Sequence, residues 1–306
     1  MIKTNEDLLK RVEAVLSQIE DDERYPESAE TLINVMFVEF GGALDGDPFS
    51  DEEIDLSAKE YDPEFLKEEC DPELLMGIAE GLHDTDGAQP MHPAVAKLVI
   101  EIYEDAIERD NADAMCNLGS LFYTGRAGEQ NYEKAAKYYT MADERGERQA
   151  TENLGYIYYY GRTGAKDYEK AFQYFIKGAL DGHLRSLYKI GDFYKNGYYV
   201  KKDVKEAFII YKHCLDTMTE EALPQVGADV FMRVADCYFL GMGTEKDLLA
   251  AQHYFAIAEQ LFYKRLIEGD FYQKRNLEHV LEMEEKVRRE IKEKMIPDLS
   301  WAKYND

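Results

Sequence analysis

The 306-residue chain is short of several residue types, and each shortage excludes something. It carries four cysteines, Cys70, Cys116, Cys214 and Cys237, with no Cys-x-x-Cys spacing and no even framework, which excludes a thiol redox motif and a stapled secreted scaffold. They read as reduced, buried thiols. No stretch approaches the roughly 18 apolar residues of a membrane span. The opening residues mix Glu6, Asp7, Lys10, Arg11 and Glu13 among apolar positions, so they form an amphipathic helix rather than a signal peptide, and a cytoplasmic location is expected. The six histidines (83, 92, 183, 213, 253 and 279) make no His-x-x-x-His pair, so no metal site is expected from them; His213 and His253, on corresponding helices, are the one coincidence to check. Asp45-Gly46-Asp47 and Asp84-Thr85-Asp86-Gly87 lack the acidic series and closing glutamate of a calcium loop. No phosphate-binding glycine loop, nucleophile elbow or nucleotide fingerprint occurs. The expectation is no enzyme, no cofactor and no metal.

Basic residues are also scarce, 36 against 62 acidic, for a net charge of −26. Residues 1–90 hold 26 acidic and six basic side chains, a balance of −20, which leaves −6 for the other 216 residues. Nucleic acid is excluded as a partner, because phosphates need lysine and arginine to neutralise them. A basic protein partner fits, steered by the acidic field, and plain solubility explains the same charge.

Tyrosine, by contrast, is abundant at 23 copies, and a phrase recurs. Leu118-Gly119, Leu154-Gly155, Ile190-Gly191 and Val234-Ala235 each open the same pattern, with Phe122, Tyr158, Tyr194 or Tyr238 next and Gly125, Gly161, Gly197 or Gly241 after it. Further along come Asn131, Asp167, Asp203 and Asp247; Ala135, Ala171, Ala207 and Ala251; then Tyr138-Tyr139, Tyr174-Phe175, Ile210-Tyr211 and Tyr254-Phe255; then Ala142, Gly178, Cys214 and Ala258. The first three copies start 36 residues apart and the last follows after 44, the mark of a helical repeat array. Each unit reads as two helices. Ala114, Leu118 and Phe122 share one face of the first helix, Gly125 ends it, and the Asn or Asp caps the second. Glycine inside the first helix costs about 1 kcal/mol, and close approach of the Ala135-type residues is the expected reason. Tyr158 and its equivalents are expected to fill the seam between hairpins.

The pattern closely resembles the Sel-one-like repeat family, a relative of the tetratricopeptide repeat, over about residues 112–262. The 234–258 copy has the family's Gly241-Met-Gly243 form; the copies at 118 and 154 place the second glycine one residue late, and the copy at 190 has Tyr199-Val200 instead. The resemblance implies an all-α fold, a right-handed superhelical solenoid of antiparallel helix pairs, serving as an adaptor or scaffold for proteins. Some secreted members carry a cysteine pair in every unit and a β-lactamase-like activity; that pairing is missing here, so the activity is not carried over.

The expected organisation is an acidic helical cap or interaction region (1–70), a degenerate repeat (71–111), four repeats (112–268) and a capping helix with tail (269–306). In the first region, Leu8, Leu9, Val12, Val15, Leu16 and Ile19 form a stripe, and a second helix runs from about Pro26 to Phe40 before Gly41-Gly42. Asp62-Pro63 and Asp71-Pro72 look like caps with proline at the first helical position. In the degenerate repeat Tyr103 aligns with Tyr139 and Ala106 with Ala142. Thr217 to Pro224 are expected to lengthen a helix and add a loop. The last helix, about Lys274–Met295, is expected to cover the final repeat, and Trp301 in the tail either folds back or docks on another chain.

In such arrays the first helices line the concave surface. The candidate partner-binding residues are therefore Asn117, Leu121 and Thr124; Asn153, Tyr156 and Tyr160; Lys189, Asp192 and Phe193; and Arg233, Asp236 and Leu240. The expected partner is a protein or peptide, a basic one fitting the acidic charge, with no nucleic acid and no membrane. The alternative is an acidic inhibitor or immunity-type protein that masks a basic partner through residues 1–90.

Overall fold

The computed structural model describes residues 2–19, 22–35, 63–85 and 89–294. Its helices are α1 (Asn5–Ile19), α2 (Pro26–Asn34), α3 (Pro72–Asp84), α4 (Pro93–Glu108), α5 (Ala112–Thr124), α6 (Tyr132–Asp143), α7 (Arg148–Tyr160), α8 (Tyr168–Leu180), α9 (Leu184–Asn196), α10 (Val204–Asp216), α11 (Ala228–Leu240), α12 (Leu248–Ile267) and α13 (Lys274–Lys294). Among the described residues the only β contact is an isolated bridge between Thr4 and Glu69, so the fold is all-α. The repeats are successive antiparallel helix pairs, α5–α6, α7–α8, α9–α10 and α11–α12. The expected helix beyond Val35, the glycines after it, Asp62, Asp86-Gly87, Met295 and the Trp301 tail lie outside the described residues.

The same local chemistry builds every pair. Gly125, Gly161, Gly197 and Gly241 end the first helices with φ of 66–75°, where a side chain would be strained. Asn131, Asp167, Asp203 and Asp247 then cap the second helices, each accepting a backbone N–H two or three residues on. Tyr199 stands where the fourth copy has Gly243, and it takes the same left-handed backbone (φ 59° against 74°). In the first two copies the positive φ falls one residue later, at Gly128 and Gly164.

Inside each pair the aromatic residues do the packing. The Phe122, Tyr158 and Tyr238 rings stack on Tyr138, Tyr174 and Tyr254, with centroids 5.6–5.7 Å apart and planes within 7°. These rings therefore bind the two helices of one pair together. The mid-helix glycines face rings too, which corrects the expectation that alanine faces them. A Cβ added at Gly119 or Gly155 would stand 2.8 Å from the Tyr139 or Phe175 ring, and one at Gly191 would strike Tyr211. The Ala135-type residues lie one turn earlier on the second helix and are buried beside the contact. In the α3–α4 pair, the residues 36 positions before Gly119 and Tyr139 are His83 and Tyr103, joined by a 3.2 Å hydrogen bond between Nδ1 and the hydroxyl.

The chain divides into two compact units, residues 1–153 and 154–306. In the first, the α1 stripe enters one core with Leu75, Ile78 and Leu82 of α3, Val95, Val99, Ile102 and Tyr103 of α4, and Leu118 of α5. Asp71 caps α3 by accepting from the Glu73 amide, as expected, whereas Pro63 precedes only a 3-10 turn at Phe65–Lys67. In the second unit, α12 runs to Ile267 and the chain breaks at Gly269 before α13, whose Val280, Met283 and Val287 pack with Phe255 and Phe262 of α12. The inserted residues differ from expectation. Helix α10 stops at Asp216, and a π-helical turn at Leu223–Gly227 leads into α11 instead. Packing of Gly227 against Leu223 and Leu261 holds that turn in place. No helix among the described residues is long and apolar enough to cross a membrane.

Candidate protein-binding surface

The twelve candidate residues occupy three kinds of place. Leu121 and Phe193 are core residues, 1% and 0% exposed, and do not form a surface. They sit two residues after the motif glycine, a position also filled by the buried Ile157 and Cys237. Phe193 shows the cause, packing 5.2 Å from Phe172 and 6.1 Å from Phe175 on the preceding pair's second helix. A first helix in a stacked array is covered on two sides, by its own partner and by the preceding pair. The apolar character of that offset in all four copies was the available signal.

Lys189, Asp192, Arg233 and Asp236 also leave the list of open surface residues. They form a buried or nearly buried ion ladder across consecutive first helices. Arg233 Nε and Nη2 donate to the two Asp192 carboxylate oxygens at 2.8 Å each, and the Tyr211 hydroxyl donates to Asp192 at 2.7 Å. Lys189 stands 3.5 Å from the same carboxylate and within 5.2–5.6 Å of the Tyr156, Tyr159 and Tyr188 ring centroids. Arg233 reaches Asp229, which also pairs with Arg265 at 2.9 Å, and Arg265 pairs with Asp270 at 2.7 Å. Lys195 of α9 and His279 of α13 both face Asp236, at 3.9 and 3.0 Å. Burial alone would raise the Asp192 pKa; Arg233, Lys189 and the Tyr211 hydroxyl outweigh it and hold it far below the carboxylate range. Burial lowers the Lys189 pKa, opposed by Asp192. The opposite charges of Lys189 and Asp192, three residues apart, were a sequence sign of pairing; Arg233 and Asp236 share that spacing but pair with other residues.

Six candidates remain accessible at least in part: Asn117, Thr124, Asn153, Tyr156, Tyr160 and Leu240. Tyr156 and Tyr160 stack at 6.1 Å with planes 10° apart, Tyr156 resting edge-on against Phe175 while Tyr160 is 44% exposed. Leu240 is 55% exposed at the end of α11. Asn117 donates to Glu80 at 3.4 Å and also hydrogen-bonds the Tyr103 hydroxyl. The Thr124 hydroxyl is turned back onto the Ser120 carbonyl.

Sequence reasoning missed an open groove of about 390 Å³ in the first unit, lined by Pro72, Glu73, Met76, Gly77 and Glu80 of α3, Ala106 and Arg109 at the end of α4, and Asn111 and Asp113 at the start of α5. Gly77, one of two glycines inside α3, was its sequence trace. No group of three or more His, Cys, Asp or Glu able to hold a metal occurs among the described residues, and His213 and His253 form none. The four cysteines are unpaired and buried, and burial raises their pKa values, to about 11 for Cys70 and about 12 for Cys214 and Cys237, which leaves them poor nucleophiles.

Comparison with known proteins agrees with this architecture. The Sel1 repeat matches residues 112–146, 148–183, 184–212 and 232–261. A Sel1 repeat protein from Oxalobacter formigenes has the same fold, at 24% identity and a TM-score of 0.52 over 63% of this chain and 74% of that one. So does a protective antigen of uropathogenic Escherichia coli strains that displays an SLR fold, at 24% identity and a TM-score of 0.52 over 73% of this chain. The match spans only 46% of that antigen. No curated protein matches the sequence. The glycine-ended first helices and the capped second helices recur in all four matched copies, so residues 112–261 of the chain are four Sel1 repeats.

Proposed function

We propose that this protein is an interaction scaffold that binds a protein or peptide partner through the first helices of its repeats and performs no chemistry on it. Sel1 repeats generally mediate protein–protein interactions, and their scaffold is generally non-catalytic. The observation that supports the surface is the Tyr156–Tyr160 stack on α7. Tyr156 is anchored on Phe175, and Tyr160, stacked on Tyr156, is 44% exposed. A pre-ordered tyrosine offers apolar area and a hydrogen bond for little entropy. The test is capture of partners from the native host by wild type, by Tyr160→Ala, and by Tyr156→Ser with Tyr160→Ser, each checked for helicity. A folded variant that captures the same proteins in the same yield rejects this surface.

A second reading is that acidic residues mask a basic partner. It is favoured by the charge partition between the two units: 38 acidic and 13 basic residues fall in the first, 24 and 23 in the second, giving −25 and −1. It predicts capture that weakens steeply as salt is raised, and salt-insensitive capture rejects it.

A further inference from the structure

We propose that the groove between α3 and α5 in the first unit is a binding site for an arginine side chain of an extended peptide. The inference rests on the protein-binding reading and names the chemistry of the partner. Three carboxylates line the groove, Glu73, Glu80 and Asp113, and no ion pair engages any of them among the described residues. The one cation in the lining, Arg109, is bound at 2.8 Å to the buried Asp105 carboxylate. The groove therefore presents uncompensated negative charge over an apolar strip made by Pro72, Met76 and Ala106. Arginine suits that combination, because its stem covers apolar surface while its planar guanidinium forks between carboxylates.

Gly77 is an independent sign of an occupant. Glycine in the middle of a helix weakens it relative to alanine, so it needs a reason. At Gly119, Gly155 and Gly191 the reason is an aromatic ring of the partner helix. At Gly77, which is exposed, a Cβ would meet nothing within 4 Å, so no contact among the described residues asks for glycine there. What the missing side chain does is keep the groove open, beside Met76 and one turn from both Glu73 and Glu80. The larger cleft of the second unit, about 730 Å³ between the α12 cap and α13, lacks this character, since its Glu290 is already shared by Lys246 and Lys294.

The test uses the full-length protein and a fluorescent six-residue peptide of alternating leucine and arginine, read by anisotropy at low salt. Its counterpart carries citrulline, which keeps the shape and removes the charge. Saturable binding that falls roughly tenfold with citrulline is expected. Gly77→Leu fills the groove without a clash, so it should keep or raise the melting temperature and weaken the peptide by a similar factor. Glu80→Gln should weaken it and flatten its salt dependence. Absence of saturable binding, equal binding of the citrulline peptide, or undiminished binding by a folded Gly77→Leu overturns the proposal. The titration uses no native partner and no residue of the tyrosine stack, so its failure leaves the capture experiment on Tyr156 and Tyr160 unaffected.

Discussion

At the scale of single residues, the repeat is a set of small holes matched to rings. Gly155 is such a hole for Phe175, which is fully buried and hemmed by Tyr156 at 5.3 Å and Phe193 at 6.1 Å. Gly155→Ala gains about 1 kcal/mol of helix propensity but forces a methyl to 2.8 Å from a ring that cannot retreat. Overpacking of that kind costs about 1–3 kcal/mol, so a net loss of about 1 kcal/mol is expected in urea unfolding, partly restored by adding Phe175→Leu. The reverse case is Ser186, whose fully buried Oγ has no hydrogen-bond partner among the described residues and packs against Gly178. Ser186→Ala should stabilise by about 1 kcal/mol, because it removes a desolvated hydroxyl; a destabilised variant would reveal a partner for that oxygen. That something passes close to each motif glycine was legible in the sequence. Which group it is was not, because alanine and ring recur one helical turn apart and both point at the same face.

At the scale of helices, the first helix of each pair was read correctly for its period and wrongly for its free side. Period reveals a buried face, and it is one: Phe122 meets the partner helix through Tyr138, while Ala114 and Leu118 enter the core with α3 and α4. It does not reveal that stacking hides a second strip, which took Leu121 and Phe193 into the core and Asp192 and Arg233 into a ladder. The ladder has a measurable consequence. A buried bidentate pair is costly to break from one side, since the other charge stays behind. Arg233→Met alone should cost about 3–5 kcal/mol, while Arg233→Met combined with Asp192→Leu should recover much of it. Because the folded Asp192 pKa is depressed, its stabilising contribution is complete above the unfolded value, about 4, and is lost as pH falls below that. Glu284 on α13 has the opposite sign. Burial, then the neighbouring Glu259, raise its pKa against the pull of Arg288. Its folded form therefore gains relative stability below about pH 4.5 and loses it as pH rises through the raised value. Glu284→Gln should raise the melting temperature at pH 7, and the gain should shrink toward pH 4.5; an equal gain at both would show that the carboxylate charge is not the cause.

At the scale of the molecule, the residues that make the fold and those that make the charge are separate sets. The fold was legible almost throughout residues 112–261, because many offsets agree in four copies and each has a local physical cause. The function was less so, because a binding surface needs no periodicity and is made of what packing leaves over. The charge is divided sharply: −25 in the first unit and −1 in the second, where the strongest charges are paired and buried. Self-repulsion of a −25 unit opposes its compact state and is screened by salt, whereas buried pairs are screened far less. Raising salt from about 20 mM to about 500 mM shortens the screening length from about 20 Å to about 4 Å. Hydrogen exchange followed peptide by peptide should then slow in α3 to α5 and change little in α9 to α11. An equal response in both units would mean that the first unit has dispersed its charge well enough to fold without strain, and a basic partner would then gain attraction from it without adding to its stability. A response confined to the first unit would mean that a basic partner stabilises that unit simply by neutralising it, so that binding and folding there are linked.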